Sequence, residues 1–164
     1  MEMLKSSRHS KIAGDFGEAL LLYWLSLDGF ECARVDHTGI DLLARNRHTQ
    51  EIMGISVKTR SRLAETEADA VNLSHEGFEK AKVACLSFGC QPYYAIVVHG
   101  GGTIHCFLLP LSHLERLAPG RGRMSYWRMS QAQLALYRSD PPIKFFELHE
   151  TACSWWPNLN MPGT

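Results

Sequence analysis

The chain reads as an α/β domain on a mixed sheet, in which an antiparallel three-strand meander is followed by a crossover helix and a parallel strand, with helices on the flanks. Three observations predict it. An apolar stripe at helical spacing (Ile12, Phe16, Leu20, Tyr23, Leu27) gives way after Gly29 to short extended runs. The next three runs are joined by connections of a few residues, which allow antiparallel pairing alone. A helical stretch then leads from the third run to the very apolar Pro92–Val98, and a strand, helix, strand succession favours a right-handed crossover and a parallel pair.

The first helix is expected from about Lys11 to Asp28, with Ser10 as N-cap, Asp15 near the positive end and Gly29 just past the last turn. From Ala19 onward it is apolar nearly all round, which predicts cover on more than one side. Phe30–Val35 reads as a strand, Asp36–Gly39 as a turn, and Ile40–Ala44 as a second strand. Asn46–Gln50 is a polar hairpin loop before a third strand, Glu51–Thr59. Arg60–Val71, with Glu65, Glu67 and Asp69, is expected to be an exposed loop.

A second helix starts at Ser74, where Leu73 and Phe78 are spaced for a hydrophobic staple. Its stripe is Phe78, Ala81, Cys85 and Phe88, and Gly89 ends it. Gly100–Gly102 turns Pro92–Val98 into a further strand, Thr103–Leu109. Ser112–Leu117 and Ser130–Tyr137 read as short helices, Pro119–Arg128 as a basic loop between them, and Ile143–Leu148 as the last strand. Trp155-Trp156-Pro157 either caps the core or forms a dimer patch.

Composition bounds the possibilities. The length of 164 residues fits one domain, and 45% hydrophobic with 21% charged residues is an ordinary globular mixture rather than a disordered one. The 17 basic residues equal the 17 acidic ones, so any contact with nucleic acid has to rest on local charge. The longest apolar run, Ala19–Leu25, is far short of the roughly 20 residues that span a bilayer. No secretion signal is visible at the start. Five Cys, at 32, 85, 90, 106 and 153, are odd in number and irregular in spacing, which argues against a disulfide framework. The expectation is a cytoplasmic protein without a membrane segment.

Three charged residues interrupt apolar contexts: Glu18 among Gly14, Leu21, Leu22 and Leu25, Asp41 inside Ile-Asp-Leu-Leu, and Lys58 inside Ile-Ser-Val-Lys. Half-buried charges are costly unless they are paired or hold a metal. Such residues form a structural ion cluster or a site.

Together, Gly17-Glu18-Ala-Leu, Gly39-Ile-Asp41-Leu-Leu and Ile55-Ser56-Val-Lys58-Thr-Arg resemble the core of the PD-(D/E)xK nuclease superfamily, in its Holliday-junction-resolvase-like and restriction-endonuclease-like branch. The likeness extends over 10–109, and the predicted element order also fits that superfamily's core. It implies one domain over 1–164, with 10–109 as a nuclease-like core of restriction-endonuclease-like fold and 110–164 as an extension packed on it.

The resemblance implies a metal-dependent DNA endonuclease that uses Mg2+ or Mn2+ and no small-molecule cofactor. Phosphodiester cleavage needs charge neutralised and a water activated, and Mg2+ takes oxygen ligands while keeping several waters. Asp41 would be the main metal ligand and Glu18 would reach the same ion from the helix. Lys58 would polarise the attacking water or stabilise charge on the phosphate. Ser56, two residues from Lys58, shares its strand face and completes the site.

Ser56 is also the departure from the family, whose active members mostly carry Glu or Gln there. A bridging water, or Glu18 as second acid, keeps the site active. Otherwise the chain is a catalytically degenerate module that binds nucleic acid or a protein partner. Glu51 has the wrong parity to substitute.

For DNA contact the candidates are Lys58 with Arg60 and Arg62, and a second cluster of Arg121, Arg123 and Arg128 interleaved with Tyr126 and Trp127. Arginines would neutralise phosphates, and an exposed ring would stack on an unpaired base; the alternative is a solvated basic loop with its rings packed inward. Resolvase-like relatives commonly pair, which implies a homodimer. His99-Gly-Gly-Gly102 reads as a turn, Cys85 and Cys90 as core cysteines, and His37 as a turn histidine.

Overall fold

The crossover between the meander and the apolar strand decides where every other element can go. In the computed structural model, which describes residues 5–63, 65–118 and 120–150, the chain opens with helix α1 (His9–Leu27). Strands β1 (Phe30–His37), β2 (Ile40–Asn46) and β3 (Ile52–Ser61) follow, paired antiparallel in order. After a short strand β4 (Val71–Ser74), helix α2 (His75–Phe88) crosses back, and β5 (Gln91–Gly100) lies parallel to β3 from Met53↔Gln91 to Ser61↔His99. Strand β6 (Thr103–Pro110) returns antiparallel, followed by α3 (Leu111–Leu117), β7 (Gly120–Arg121), β8 (Met124–Trp127), α4 (Gln131–Ser139) and β9 (Lys144–His149).

Among the described residues, six strands form the main sheet in the order β1-β2-β3-β5-β6-β9, and three form a small one, β4-β8-β7. This is the mixed sheet with one parallel pair that the sequence predicts. No helix among the described residues is long and apolar enough to cross a membrane. The Trp155-Trp156-Pro157 reading lies outside the described residues.

The sheet is covered on both faces, so β5 is apolar on both sides, as a parallel-paired central strand should be. On one face Leu21 and Leu25 of α1 pack on Leu42, Ile55, Val97 and Leu108. On the other, Phe78, Ala81 and Cys85 of α2 join Tyr94, Phe107 and Trp127. Ser74 caps α2 by accepting the Gly77 amide at 3.1 Å, and Gly89 closes it in the left-handed region at φ 64°. Leu73 and Phe78 are both buried, as a staple requires.

Helix α1 corrects the predicted stripe. Its inward face is Gly17, Leu21 and Leu25, whereas Ile12, Phe16, Tyr23 and Leu27 are exposed, Tyr23 by 64% and Leu27 by 66%. The reason is close approach: a Cβ on Gly17 would stand 2.0 Å from Thr59 Oγ1, so α1 lies against β3 through its glycine face. A count of large apolar residues cannot see that. Ser10 is inside the helix, whose N-cap is Arg8 and carries no side-chain cap.

The expected 60–71 loop is shorter, because β3 runs on to Ser61 and β4 starts at Val71. The expected basic loop is a hairpin, β7–β8, turning at Gly122 with φ 64°. Strand β8 pairs with β4 from Val71↔Trp127 to Ser74↔Met124. Trp127 is fully buried, with its ring stacked on Tyr137 at 3.9 Å and edge-on to Phe107.

Candidate active site

Because α1 sits so close to β3, Glu18, the residue after Gly17, is carried to the start of the meander. Its side chain is about a quarter exposed, with Nε of Arg34 on β1 3.8 Å away. Arg34 is anchored by a bond from its Nη2 to the Asp15 carbonyl at 3.0 Å. Asp41 is the second residue of β2. The rungs between β2 and β3 end at Leu42↔Ile55, and there Asp41 Oδ2 accepts the Val57 amide at 2.6 Å. The carboxylate thus takes over where the ladder opens, alongside Ser56.

Side-chain parity places Ser56 and Lys58 on the α2 side of β3, with Val57 and Thr59 toward α1. Asp41 acts on both sides. Burial first, then the charge of Asp41, raise the Glu18 carboxyl above its ordinary pKa, against the pull of Arg34. Asp41 likewise disfavours ionisation of Tyr94 on the α2 side, where burial is the larger cause. Glu18 and Asp41 are thus near enough to feel one another's charge, while Ser56 and Lys58 leave β3 on the face away from α1. Lys58 is half-buried and makes no hydrogen bond or ion pair with another described residue. Cavities of about 350 and 310 Å3 lie elsewhere, the first around His105, Arg138 and Glu147 and the second around Trp24, Phe30 and Tyr93.

Tyr94 is a residue the sequence reading missed. It faces Ser56 in register across β3 and β5 and is completely buried; its hydroxyl completes no hydrogen bond among the described residues, although the Ser56 hydroxyl is near enough to ease its ionisation. A Cβ on Gly77 would lie 3.2 Å from that oxygen, so the first turn of α2 crowds it from behind. The sequence signal is slight, a pair of tyrosines at the head of an aliphatic strand, and only the register says which of the two meets Ser56.

The arginines divide. Arg60 is exposed and donates Nη1 to its neighbour's carbonyl at 2.9 Å. Arg62 is half-buried and ties down the following loop, donating Nη2 to the carbonyls of Ala70 at 2.7 Å and Asp69 at 3.3 Å. Arg121, Arg123 and Arg128 are exposed on and beside the β7–β8 hairpin. The hairpin leans on the first residue of α2, where His75 Nε2 meets Ser125 Oγ at 3.0 Å and Arg123 accepts the His75 amide at its carbonyl. Trp127 is unable to stack on a base because it is core; Tyr126 is half-buried. His37 lies at the exposed end of β1, edge-on to Phe88. The thiols of Cys32, Cys85, Cys90 and Cys106 are free.

Among the described residues, no group of three or more His, Cys, Asp and Glu side chains is placed to hold an ion. A pair of carboxylates is still the usual protein share of a Mg2+ site, where waters fill the other positions. Glu18, whose carboxyl is raised by burial and then by the charge of Asp41, forms such a pair with Asp41.

The Holliday junction resolvase Hjc of Archaeoglobus fulgidus has a similar structure, with a TM-score of 0.55 and 21% identity over 75% of this chain and 88% of that one. The fold is restriction-endonuclease-like. The bacterial homing endonuclease I-Ssp6803I is also similar, at a TM-score of 0.45 and 9% identity over 74% of this chain and 80% of that one. No family model and no curated protein sequence matches the chain. Among the described residues, this restriction-endonuclease-like core is reached through four helices and a mixed sheet whose one parallel pair is β3–β5.

Proposed function

We propose that the chain is a metal-dependent DNA endonuclease with Glu18, Asp41, Ser56 and Lys58 as its site. The observation that carries this reading is the carboxylate pair: Asp41 is fixed on the Val57 amide where the β2–β3 ladder opens, and Glu18, raised by burial first and then by the charge of Asp41, lies near enough to feel it. Two like charges in one field are poised for a divalent cation. Glu18 and Asp41 would hold Mg2+ or Mn2+, which when bound would neutralise the phosphodiester and lower the pKa of a water. Lys58, without a partner among the described residues, would hold that water or the phosphate oxygen facing it. Ser56 would meet the ion through a water.

In this reading Arg60, Arg121, Arg123 and Arg128 contact phosphates, since all four are exposed. Arg62 supports the surface indirectly through its loop. The same reading takes 1–164 as one domain with 10–109 as its core, and the free thiols suit the reducing cytoplasm. A homodimer belongs to it through the resemblance alone.

The test is a nuclease assay on branched, duplex and single-stranded DNA with Mg2+ or Mn2+, and with Ca2+ as a control that supports binding without cleavage. Cleavage in Mg2+ or Mn2+ that Asp41→Asn abolishes is the expected result. Cleavage unchanged by Asp41→Asn removes Asp41 from the mechanism.

The second reading, a module that binds without cleaving, is favoured by Ser56, which brings no charge where an acid is usual. It expects DNA binding without turnover in any divalent metal. Under it, Ser56→Glu raises metal affinity.

A further inference from the structure

A buried hydroxyl without a partner loses its hydration and gains nothing in return, so such groups are uncommon in cores and call for an explanation. Tyr94 is one, and its ring alone would pack as well. The ring stands edge-on to Phe78 at 5.2 Å, a contact phenylalanine would make equally. The oxygen has specific surroundings. Ser56 is beside it in register, Gly77 leaves it room by lacking a Cβ, and Ser74 Oγ, beyond Gly77, is already taken by the Gly77 amide. Of these neighbours Ser56 alone has a free hydroxyl, since it makes no side-chain hydrogen bond with another described residue and retains 5% exposure.

We infer that Tyr94 is a positioning residue of the metal site: its buried hydroxyl holds the Ser56 hydroxyl from behind, so that the serine–tyrosine pair takes the place of the acidic side chain absent at position 56. The inference rests on the endonuclease reading. A tyrosine O–H donating to Ser56 Oγ leaves the serine proton to point outward, toward Asp41 or the water shell of an ion between Asp41 and Glu18. Serine is too short to reach an ion and carries no charge, so it needs a fixed direction to order a water. Tyr94 would supply that direction from the closed side of the strand without touching the substrate. Hydrogen bonds to the groups around a metal commonly set its affinity in this way.

The experiment measures Mn2+ binding to the intact chain by titration calorimetry, in wild type, Tyr94→Phe, Ser56→Ala, the double variant and Asp41→Asn, with thermal unfolding in the absence of metal. Tyr94→Phe should weaken Mn2+ binding about tenfold. Ser56→Ala should weaken it similarly, and the double variant no further, because the two act as one unit. Without metal, Tyr94→Phe should unfold close to the wild-type temperature, because the ring keeps its contact with Phe78, whereas a merely structural role would show as a loss of stability with unchanged Mn2+ affinity. Wild-type affinity in Tyr94→Phe, alongside wild-type binding that Asp41→Asn abolishes, overturns this inference and leaves the endonuclease reading standing. Absence of Mn2+ binding in the wild type overturns both. Should Tyr94→Phe fail to fold, Ser56→Ala alone decides: undiminished affinity there sinks the pair.

Discussion

The carboxylate of Asp41 accepts the amide proton of Val57 at 2.6 Å, just past the last rung that joins β2 to β3. One side chain thus does two jobs: it closes the open end of a ladder and sets a negative charge beside Ser56 and Glu18. Its removal should have two separable effects. Asp41→Ala leaves the Val57 amide unpaired in a half-buried place and should cost about 1–3 kcal/mol. Asp41→Asn keeps an acceptor and should lose little stability while removing the charge. Urea unfolding of both variants decides, and equal stability of Asp41→Ala and wild type would show that the bond contributes nothing.

Gly17→Ala should destabilise the fold by about 1–3 kcal/mol, as overpacking does. The new methyl would meet Thr59 Oγ1 at 2.0 Å, and the short β-branched threonine has little freedom to withdraw. The shift in α1 should also move Glu18. A melting temperature like that of wild type would mean that the approach of α1 to β3 is looser than described.

The arginines should separate in a salt titration of DNA binding. Replacing Arg60, Arg121, Arg123 or Arg128 by Ala should each flatten the slope of log K against log salt by about 0.9, if each neutralises one phosphate. Arg62→Ala should leave the slope alone and lower stability instead, because its guanidinium is spent on the carbonyls of Asp69 and Ala70. A slope change for Arg62→Ala with unchanged stability would reverse that assignment.

Acid sensitivity should be traceable to His105. Its ring lies parallel to and beside those of Phe107 and Phe145, which stack on each other at 4.8 Å, and Nδ1 lies 3.0 Å from Glu147, which also binds Arg138. Burial holds its pKa below the ordinary 6.5, outweighing the opposite pull of Glu147, while Arg138 and His149 push the same way as burial. The unfolded chain then binds the proton more readily than the folded one. Stability is full above the unfolded value and falls as pH drops below about 6.5 toward the depressed folded value. His105→Phe should flatten that part of the profile, measured as the urea midpoint at several pH values. An unchanged acid limb would remove His105 as its cause.

Much of this was legible in one dimension. Short connections after Gly29 forced a meander, and the length of the Ser74–Gly89 helix forced the parallel β3–β5 pair. Glu18, Asp41 and Lys58 stood out because charge inside an apolar run is costly. Ser74 and Gly89 announced the ends of α2 by their own chemistry.

Other features follow from contacts between distant segments, which local patterns do not encode. The inward face of α1 was decided by the fit of Gly17 against Thr59, 42 positions later, and not by where its large apolar residues lie. Trp127, in a segment that reads as a basic loop, is core because β8 pairs with β4 and lays the ring on Tyr137. Tyr94 meets Ser56 solely through the register of two strands 38 residues apart. The sequence by itself determined which elements form and which charges needed a reason to exist, since propensity, turn chemistry and the cost of burying charge act residue by residue. The tertiary structure alone decided which of those residues meet, because close approach and strand register are properties of pairs of surfaces, and neither surface exists until both have folded.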